Sequence, residues 1–306
     1  MVVILRLVTP AKGLYFRLRL TALLIVALSW PLAAQPHAGP SVNTEAALQA
    51  AYVRLYNFDF KGAHAILDRQ RPLDPQQPLI LAVGCAAYLF AELDRLKILE
   101  LDFFTDDDKV VDRRKLIPDP VIRQKFFDMV AESDKLANSR LAIKPDDPDA
   151  LLALCMTTGL VTDYAALVEK RRLGSFALAK KSHIWAKKLL MLNPPMVDAY
   201  MTFGTAEYIV GSLPFFLRWF VHMDSVEGSK TKGIEELNLV AEKGRYCGPF
   251  ARMLLAVIAL REKHPEEAER LLAGLNRDYP ENPLIRLELA RVNHTLHPGS
   301  GVVITK

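Results

Sequence analysis

The chain has 306 residues, of which 51% are hydrophobic and 24% charged, so it can bury a large core as one domain or as stacked repeats. This composition excludes a globally disordered chain. The 39 basic and 35 acidic residues are interspersed over most of the length and give a net charge of +4. This distribution does not predict the basic surface of a nucleic-acid-binding protein.

The N-terminal segment has the order of a secretory signal. Four basic residues precede an uncharged apolar run at residues 20–30, and small residues follow up to Ala34. The run of about 11 residues is shorter than the roughly 20 that a membrane-spanning helix needs. We therefore expect a signal peptide at residues 1–34, cleaved before Gln35, and an exported protein of the periplasm or envelope. Leu32 is not the small residue preferred before a cleavage site, so an N-terminal anchor is the alternative.

A helical domain is predicted from residue 44 to residue 293, after a flexible leader at residues 35–43. Its first two helices carry apolar residues at helical intervals and turn near Asn57. Ala51, Ala63 and Pro75 fall twelve apart. This spacing predicts a helical hairpin whose small residues let the two helices approach closely.

The next predicted helix ends at Leu96 and is followed by an insertion at about residues 97–117. Its acidic triplet, residues 106–108, lacks the glycine that a calcium-binding loop of the EF-hand type needs. We interpret the triplet as a solvated turn. Further helices are predicted at about residues 118–142, 150–160 and 164–173.

A long basic helix is predicted at residues 176–192. Its four lysines recur at seven residues and therefore share one face: Lys180, Lys181, Lys187 and Lys188. This face is predicted to be solvated; contact with anionic lipid or an acidic partner is the alternative.

Four turn prolines each precede a small residue by ten positions. The pairs are Pro75 and Cys85, Pro145 and Cys155, Pro194 and Gly204, and Pro280 and Ala290. Cys85 and Cys155 are thus expected to be buried at helix crossings, whereas Cys247, in a connection, is the more reactive thiol. Without a CxxC motif or a Cys/His cluster, no metal site is predicted.

Residues 211–222, GSLPFFLRWFVH, form the most unusual segment of the predicted domain. Bulky side chains occupy all sides of a short helix, with one firmly charged residue, Arg218. Such a segment is expected either to fill the inside of a curved helical stack or to form an exposed docking surface.

The last hairpin repeats the spacing of the first, with Ala256, Ala268 and Pro280 twelve apart. The pattern resembles the tetratricopeptide repeat (TPR). From Tyr164 onward the motifs YAALVEKR, GSLPFFLRWF, KGIEEL, AEKGRY, PFARMLLA and YPENPL resemble exported bacterial TPR proteins, and more distantly the eukaryotic inclusion-body-clearance TPR family. The turn prolines are 70, 49 and 86 residues apart rather than a regular 34. We therefore predict an all-α fold, an irregular TPR-like solenoid of helical hairpins in a right-handed superhelix with insertions, and a flexible tail at residues 294–306.

In this repeat fold the first helix of each hairpin lines a concave groove. The candidate binding residues are Tyr52, Ala82, Met156, Tyr164, Met201, Thr205, Tyr208, Phe215 and Trp219. The groove is almost wholly apolar, which suits an amphipathic helix, an apolar ligand or the protein's own insertion.

No nucleophile elbow, phosphate loop, zinc-binding HExxH or dinucleotide fingerprint occurs, and neither family implies a catalytic residue. We therefore predict no catalytic residue and no cofactor. The leading hypothesis is a non-enzymatic scaffold that binds a protein or peptide partner in the envelope. The alternative is a carrier that holds a lipid-like or other apolar molecule in the groove and can act at a membrane surface. An enzyme with an unrecognised site is a third and weaker hypothesis.

Overall fold

The protein is all-helical in the parts of the chain that this computed structural model describes. These parts are residues 42–100, 116–213 and 226–298, without the side chains of Val42 and residues 172–176. The predicted signal, Phe215, Trp219 and the acidic triplet lie outside them. Eleven α-helices and no β-strand occur in the described ranges.

The helices follow one another with short connections wherever the connection is described. They are α1 (Val42–Tyr56), α2 (Phe60–Gln70), α3 (Pro78–Arg95), α4 (Pro120–Ile143), α5 (Pro148–Asp163), α6 (Arg172–Leu190), α7 (Tyr200–Ser212), α8 (Lys230–Lys243), α9 (Gly248–Arg261), α10 (Pro265–Asp278) and α11 (Pro283–Leu296). A π-helical turn (Tyr164–Val168) follows α5, and a short 3-10 helix (Val197–Ala199) precedes α7. The last helix therefore extends to Leu296, into the range predicted as a tail.

Neighbouring helices along the chain pack in pairs. The pairs are α1 with α2, α3 with α4, α5 with α6, α7 with α8, and α9 with α10, and each pair also contacts the next. The first helices of successive pairs meet as well, α1 with α3 and α3 with α5. The core thus runs through the stack of pairs.

Several helices begin with the same local device, a polar cap followed by proline. The Asp147 carboxylate accepts from the N–H of Ala150 at 3.0 Å, and the Asn282 side-chain oxygen accepts from the N–H of Leu284 at 2.9 Å. Proline comes next in both cases and costs no helical hydrogen bond at this position. These caps explain why the two predicted turns end, and the next helices begin, at Pro148 and Pro283.

Small residues occupy the places where paired helices cross. Ala51, Ala63, Ala256 and Ala268 are fully buried. Cys85 and Cys155 are buried too, which confirms the prediction for both. Ala290 is only half-buried, because α11 is the last described helix and no later one packs over it.

Helix α5 and the π-helical turn together form a stretch, Pro148–Val168, that is long and apolar enough to cross a membrane. Within the protein, 56% of its apolar window is buried, and α5 packs against α3, α4 and α6. Central core helices have the same length and composition. The packing therefore accounts for the hydropathy of this stretch.

Candidate functional site

The N-terminal half of the predicted groove is filled by the protein's own side chains. The Tyr52 hydroxyl lies 3.5 Å from the Met156 sulfur, and the Tyr52 ring stacks on Tyr246 with 5.1 Å between centroids. Tyr52 is 7% exposed and Ala82 fully buried. At this end, two candidate residues are buried, Tyr52 and Ala82, and the third, Met156, is half-buried beside Tyr52.

Tyr52 belongs to a cluster of four tyrosines from distant parts of the sequence, Tyr52, Tyr56, Tyr246 and Tyr279. Tyr56 lies 5.9 Å from Tyr52 and 5.3 Å from Tyr279, between ring centroids. The Tyr56 hydroxyl donates to the Tyr246 carbonyl at 2.9 Å. Burial raises the pKa of Tyr52 and Tyr56 well above the usual value. This tyrosine cluster joins α1 to the connections before α9 and α11.

A charged contact borders the tyrosine cluster. Glu45 forms an ion pair with Arg245 and accepts from the Tyr246 hydroxyl at 2.7 Å. Partial burial acts to raise the pKa of Glu45, but hydrogen bonds from Tyr246, Gln49 and Arg245 outweigh it and hold the pKa below its usual value. The carboxylate therefore stays ionised and links α1 to the connection between α8 and α9.

The backbone of that connection is fixed by Asp198. Its carboxylate accepts from the N–H groups of Arg245, Tyr246 and Cys247 at 2.7, 2.8 and 2.7 Å. Burial and the neighbouring Asp198 raise the pKa of the Cys247 thiol well above its usual value. Cys247 is half-buried whereas Cys85 and Cys155 are buried, so it is the most accessible of the three thiols. Because only the thiolate is a strong nucleophile, the raised pKa nevertheless lowers the reactivity of Cys247 in the folded protein.

The C-terminal half of the predicted groove is more open. Met201 and Thr205 are half-buried on α7, and Ile209, one turn further along the same face, is 54% exposed. The Tyr208 hydroxyl donates at 2.9 Å to Glu262, which also accepts from the Lys230 ammonium at 2.6 Å. The structure thus brings Met201, Thr205 and Tyr208 together on one helix, beside a charged pair.

Tyr164 packs elsewhere, in the π-helical turn. Its ring stacks on Phe126 with 5.3 Å between centroids and meets Phe127 edge-on at 5.2 Å. Burial raises the pKa of Tyr164 to about 12. Tyr164 is therefore part of the core between α4 and α5.

Sequence reasoning missed the fully buried Glu207, the only charged residue of α7. Its carboxylate accepts from the N–H groups of Glu227, Gly228 and Ser229 at 3.1, 2.7 and 3.0 Å, and from the Lys232 ammonium at 2.8 Å. Burial acts to raise its pKa, but these partners keep it below the usual value. A lone acid on an otherwise uncharged helix was the signal for this contact, which fixes the chain where it enters α8.

A small cleft lies between the end of α3 and the start of α11. Its volume is about 110 Å³, and it is lined by Asp94, Lys97, Leu99, Glu100, Pro283, Leu284 and Leu287. Arg291 pairs with Glu100 at 3.2 Å. The cleft is partly charged and much smaller than the roughly 300–1,000 Å³ of a typical small-molecule site.

No family model, curated protein or solved structure matches this chain. Within residues 42–100, 116–213 and 226–298, no three His, Cys, Asp or Glu side chains come together as a metal ion would require. The function therefore has to be inferred from the contacts described above.

Proposed function

We propose that the protein is a non-enzymatic scaffold of the TPR type, exported to the cell envelope, that binds a segment of a protein partner along the open half of its groove. The observation that carries this proposal is the contrast between the two halves. Tyr52 is buried and contacts Met156, whereas on α7 Met201 and Thr205 are half-buried and Ile209 is 54% exposed, so an apolar stripe reaches solvent there.

Three features support a TPR-type architecture. Consecutive helices pack in pairs and each pair contacts the next. Buried alanines twelve residues apart stand at two of the crossings, Ala51 with Ala63 and Ala256 with Ala268. Polar caps and prolines begin α3, α5 and α11. Each pair exposes an apolar face that only the next pair can cover, as in repeat proteins generally.

A protein segment fits the open half better than a lipid-like ligand does. A carrier needs an enclosed apolar cavity, but two of the candidate groove residues, Tyr52 and Met156, are in contact with each other. The open stripe is instead a shallow face with side chains at helical spacing, bordered by Lys230 and Glu262. Such a face accepts an amphipathic helix whose apolar residues meet the stripe.

Site-specific photo-cross-linking tests the proposal. A photoreactive amino acid replaces Ile209 in the chain expressed in its own cells, and a matched probe replaces Val53, which is 50% exposed on α1. We expect a discrete polypeptide adduct from position 209 and none from position 53. Thr205→Arg should remove the adduct, because it places a charge in the middle of the stripe.

The outcome that contradicts the proposal is the same pattern of adducts at both positions, or none at either. The unfolding midpoint of Thr205→Arg has to equal that of the parent chain, so that a lost adduct reports on binding. N-terminal sequencing of the recovered chain tests the expected cleavage before Gln35.

A further inference from the structure

Helix α6 presents a basic stripe without a single acidic residue. No Asp or Glu occurs from Arg172 to Leu190. The exposed residues from position 177 to the end of the helix and its cap are Ala177, Lys180, Lys181, Ile184, Lys187, Lys188 and Met191. At 100° per residue these seven fall within an arc of about 120°. The buried residues Ser182, His183, Ala186 and Leu189 occupy the other side.

Two large apolar side chains stand within the lysine stripe. Ile184 is 57% exposed and Met191 is 77% exposed, seven residues apart and therefore two turns along the same face. Pro194 and Pro195, in the connection that follows, are exposed as well. The stripe thus combines cationic and apolar groups on one outward surface.

For three of the four lysines of the stripe, no direct pairing with a carboxylate is found among the described residues. In the parts of the chain that the structure describes, no ion pair within 4.0 Å joins Lys181, Lys187 or Lys188 to a carboxylate. The positive charge of Lys181 acts on Asp134 of α4 without an ion pair between them. The hydrogen bond that the Asp134 carboxylate accepts comes instead from the Thr157 hydroxyl, at 2.6 Å.

The Lys188 ammonium lies 4.7 Å from the centre of the Trp185 ring. This half-buried indole, next to the exposed arc, places an aromatic ring at the edge of the stripe. Tryptophan beside lysine is the composition of helices that lie in the interfacial region of a bilayer.

We propose that the α6 stripe is a peripheral docking surface for an anionic lipid bilayer. The lysines bind the headgroups, while Ile184 and Met191 enter the boundary between headgroups and acyl chains. An acidic protein would also attract the lysines, but the two exposed apolar side chains in the middle of the arc favour a bilayer. The surface uses residues of α6 only, so it is independent of the groove on α7.

A fluorescent reporter on the full chain tests this surface locally. Met191→Cys carries an environment-sensitive dye, and Leu73→Cys, with Leu73 68% exposed on another connection, is the matched control. Labelling favours the introduced cysteines, because Met191 and Leu73 are largely exposed whereas Cys85 and Cys155 are buried and Cys247 is half-buried. Both chains are mixed with phosphatidylcholine vesicles that contain or lack phosphatidylglycerol.

We expect a blue shift at position 191 that requires phosphatidylglycerol, and no shift at position 73. Lys187→Gln combined with Lys188→Gln should weaken the apparent affinity roughly 25-fold, about five-fold for each lysine. Both lysines are exposed, so circular dichroism should show an unchanged fold.

Four results would overturn the proposal. The first is a shift of equal size at position 73, which would mean that another part of the chain brings the whole protein to the vesicle. The second is a shift that neutral vesicles produce as well, and the third is no shift at all. A shift with soluble polyglutamate but not with vesicles would also overturn it and indicate an acidic protein partner.

Discussion

The crossing of α7 and α8 gives the sharpest test of how the helices pack. Gly204 and Gly233 face each other there, and a Cβ added to Gly233 would lie 2.7 Å from both the Gly204 carbonyl oxygen and the Tyr208 nitrogen. Both atoms belong to the backbone, so they can move only if the helices move apart. Gly159, in the interior of α5, is the matched control, because its Cβ would meet only the Ser182 hydroxyl, at 3.9 Å.

The two substitutions to alanine should change stability in opposite directions. Alanine in a helix interior gains about 0.5–1 kcal/mol over glycine, and Gly159→Ala should show that gain. At Gly233 the same gain is opposed by overpacking, which costs about 1–3 kcal/mol and more where backbone must shift. We expect Gly233→Ala to lose about 2 kcal/mol net, so that the two variants differ by about 3 kcal/mol.

Thermal and urea unfolding followed by circular dichroism at the helical band measures this difference. At about 2–4 °C per kcal/mol for a domain of this size, Gly233→Ala should melt roughly 4–8 °C below the parent chain and Gly159→Ala slightly above it. Equal melting of Gly233→Ala and the parent chain would refute the close crossing. A loss at Gly159 as large as at Gly233 would show that glycine flexibility, rather than helix contact, is what both sites require.

Three further changes test the contacts around the candidate site. Tyr246→Phe removes the hydroxyl that donates to Glu45 and should lower the free energy of unfolding by about 1 kcal/mol in urea titrations. Burial raises the pKa of Glu236 to about 7 from its usual value near 4.5, so ionising it destabilises the fold increasingly as the pH rises through that interval. Glu236→Gln should therefore stabilise the protein by about 1–2 kcal/mol at pH 8 and hardly at all at pH 4.5; a pH-independent gain would contradict this. In the folded chain Cys247 should react with a disulfide reagent at pH 8 at least about ten-fold more slowly than a free thiol, and Asp198→Asn should accelerate the reaction.

The helices themselves were predictable because their signals are local. The helix predicted to end at Leu96 ends at Arg95, and Cys85, the small residue expected at its helix crossing, is buried. The basic helix begins at Arg172 rather than at residue 176. The predicted helix before it is interrupted instead, because the π-helical turn ends at Val168 and Lys170 adopts a positive φ of 55°. Hydrophobic periodicity cannot predict such a backbone conformation, because it reports only which residues face the core.

The contacts that close half of the groove could not be predicted from the sequence. Tyr246 donates to Glu45 across 201 positions of the chain, and Asn282 donates to the Tyr56 carbonyl across 226. Periodicity predicts which face of a helix is buried, but not which distant segment covers it. The sequence therefore predicts that Tyr52 faces inward, but not that it packs against Tyr246.

These distant contacts also decide which half of the groove can serve a partner. In a simple repeat array each repeat contacts only its neighbours, and all groove positions are equivalent. Here α1 contacts the connections before α9 and α11, and the tyrosine cluster is buried in the process. A partner could reach Tyr52 only by displacing these stacked rings and the ion pair of Glu45 with Arg245, so it would lose their stabilisation on binding. The stripe at Met201, Thr205 and Ile209 imposes no such loss, and for that reason we propose the binding site there.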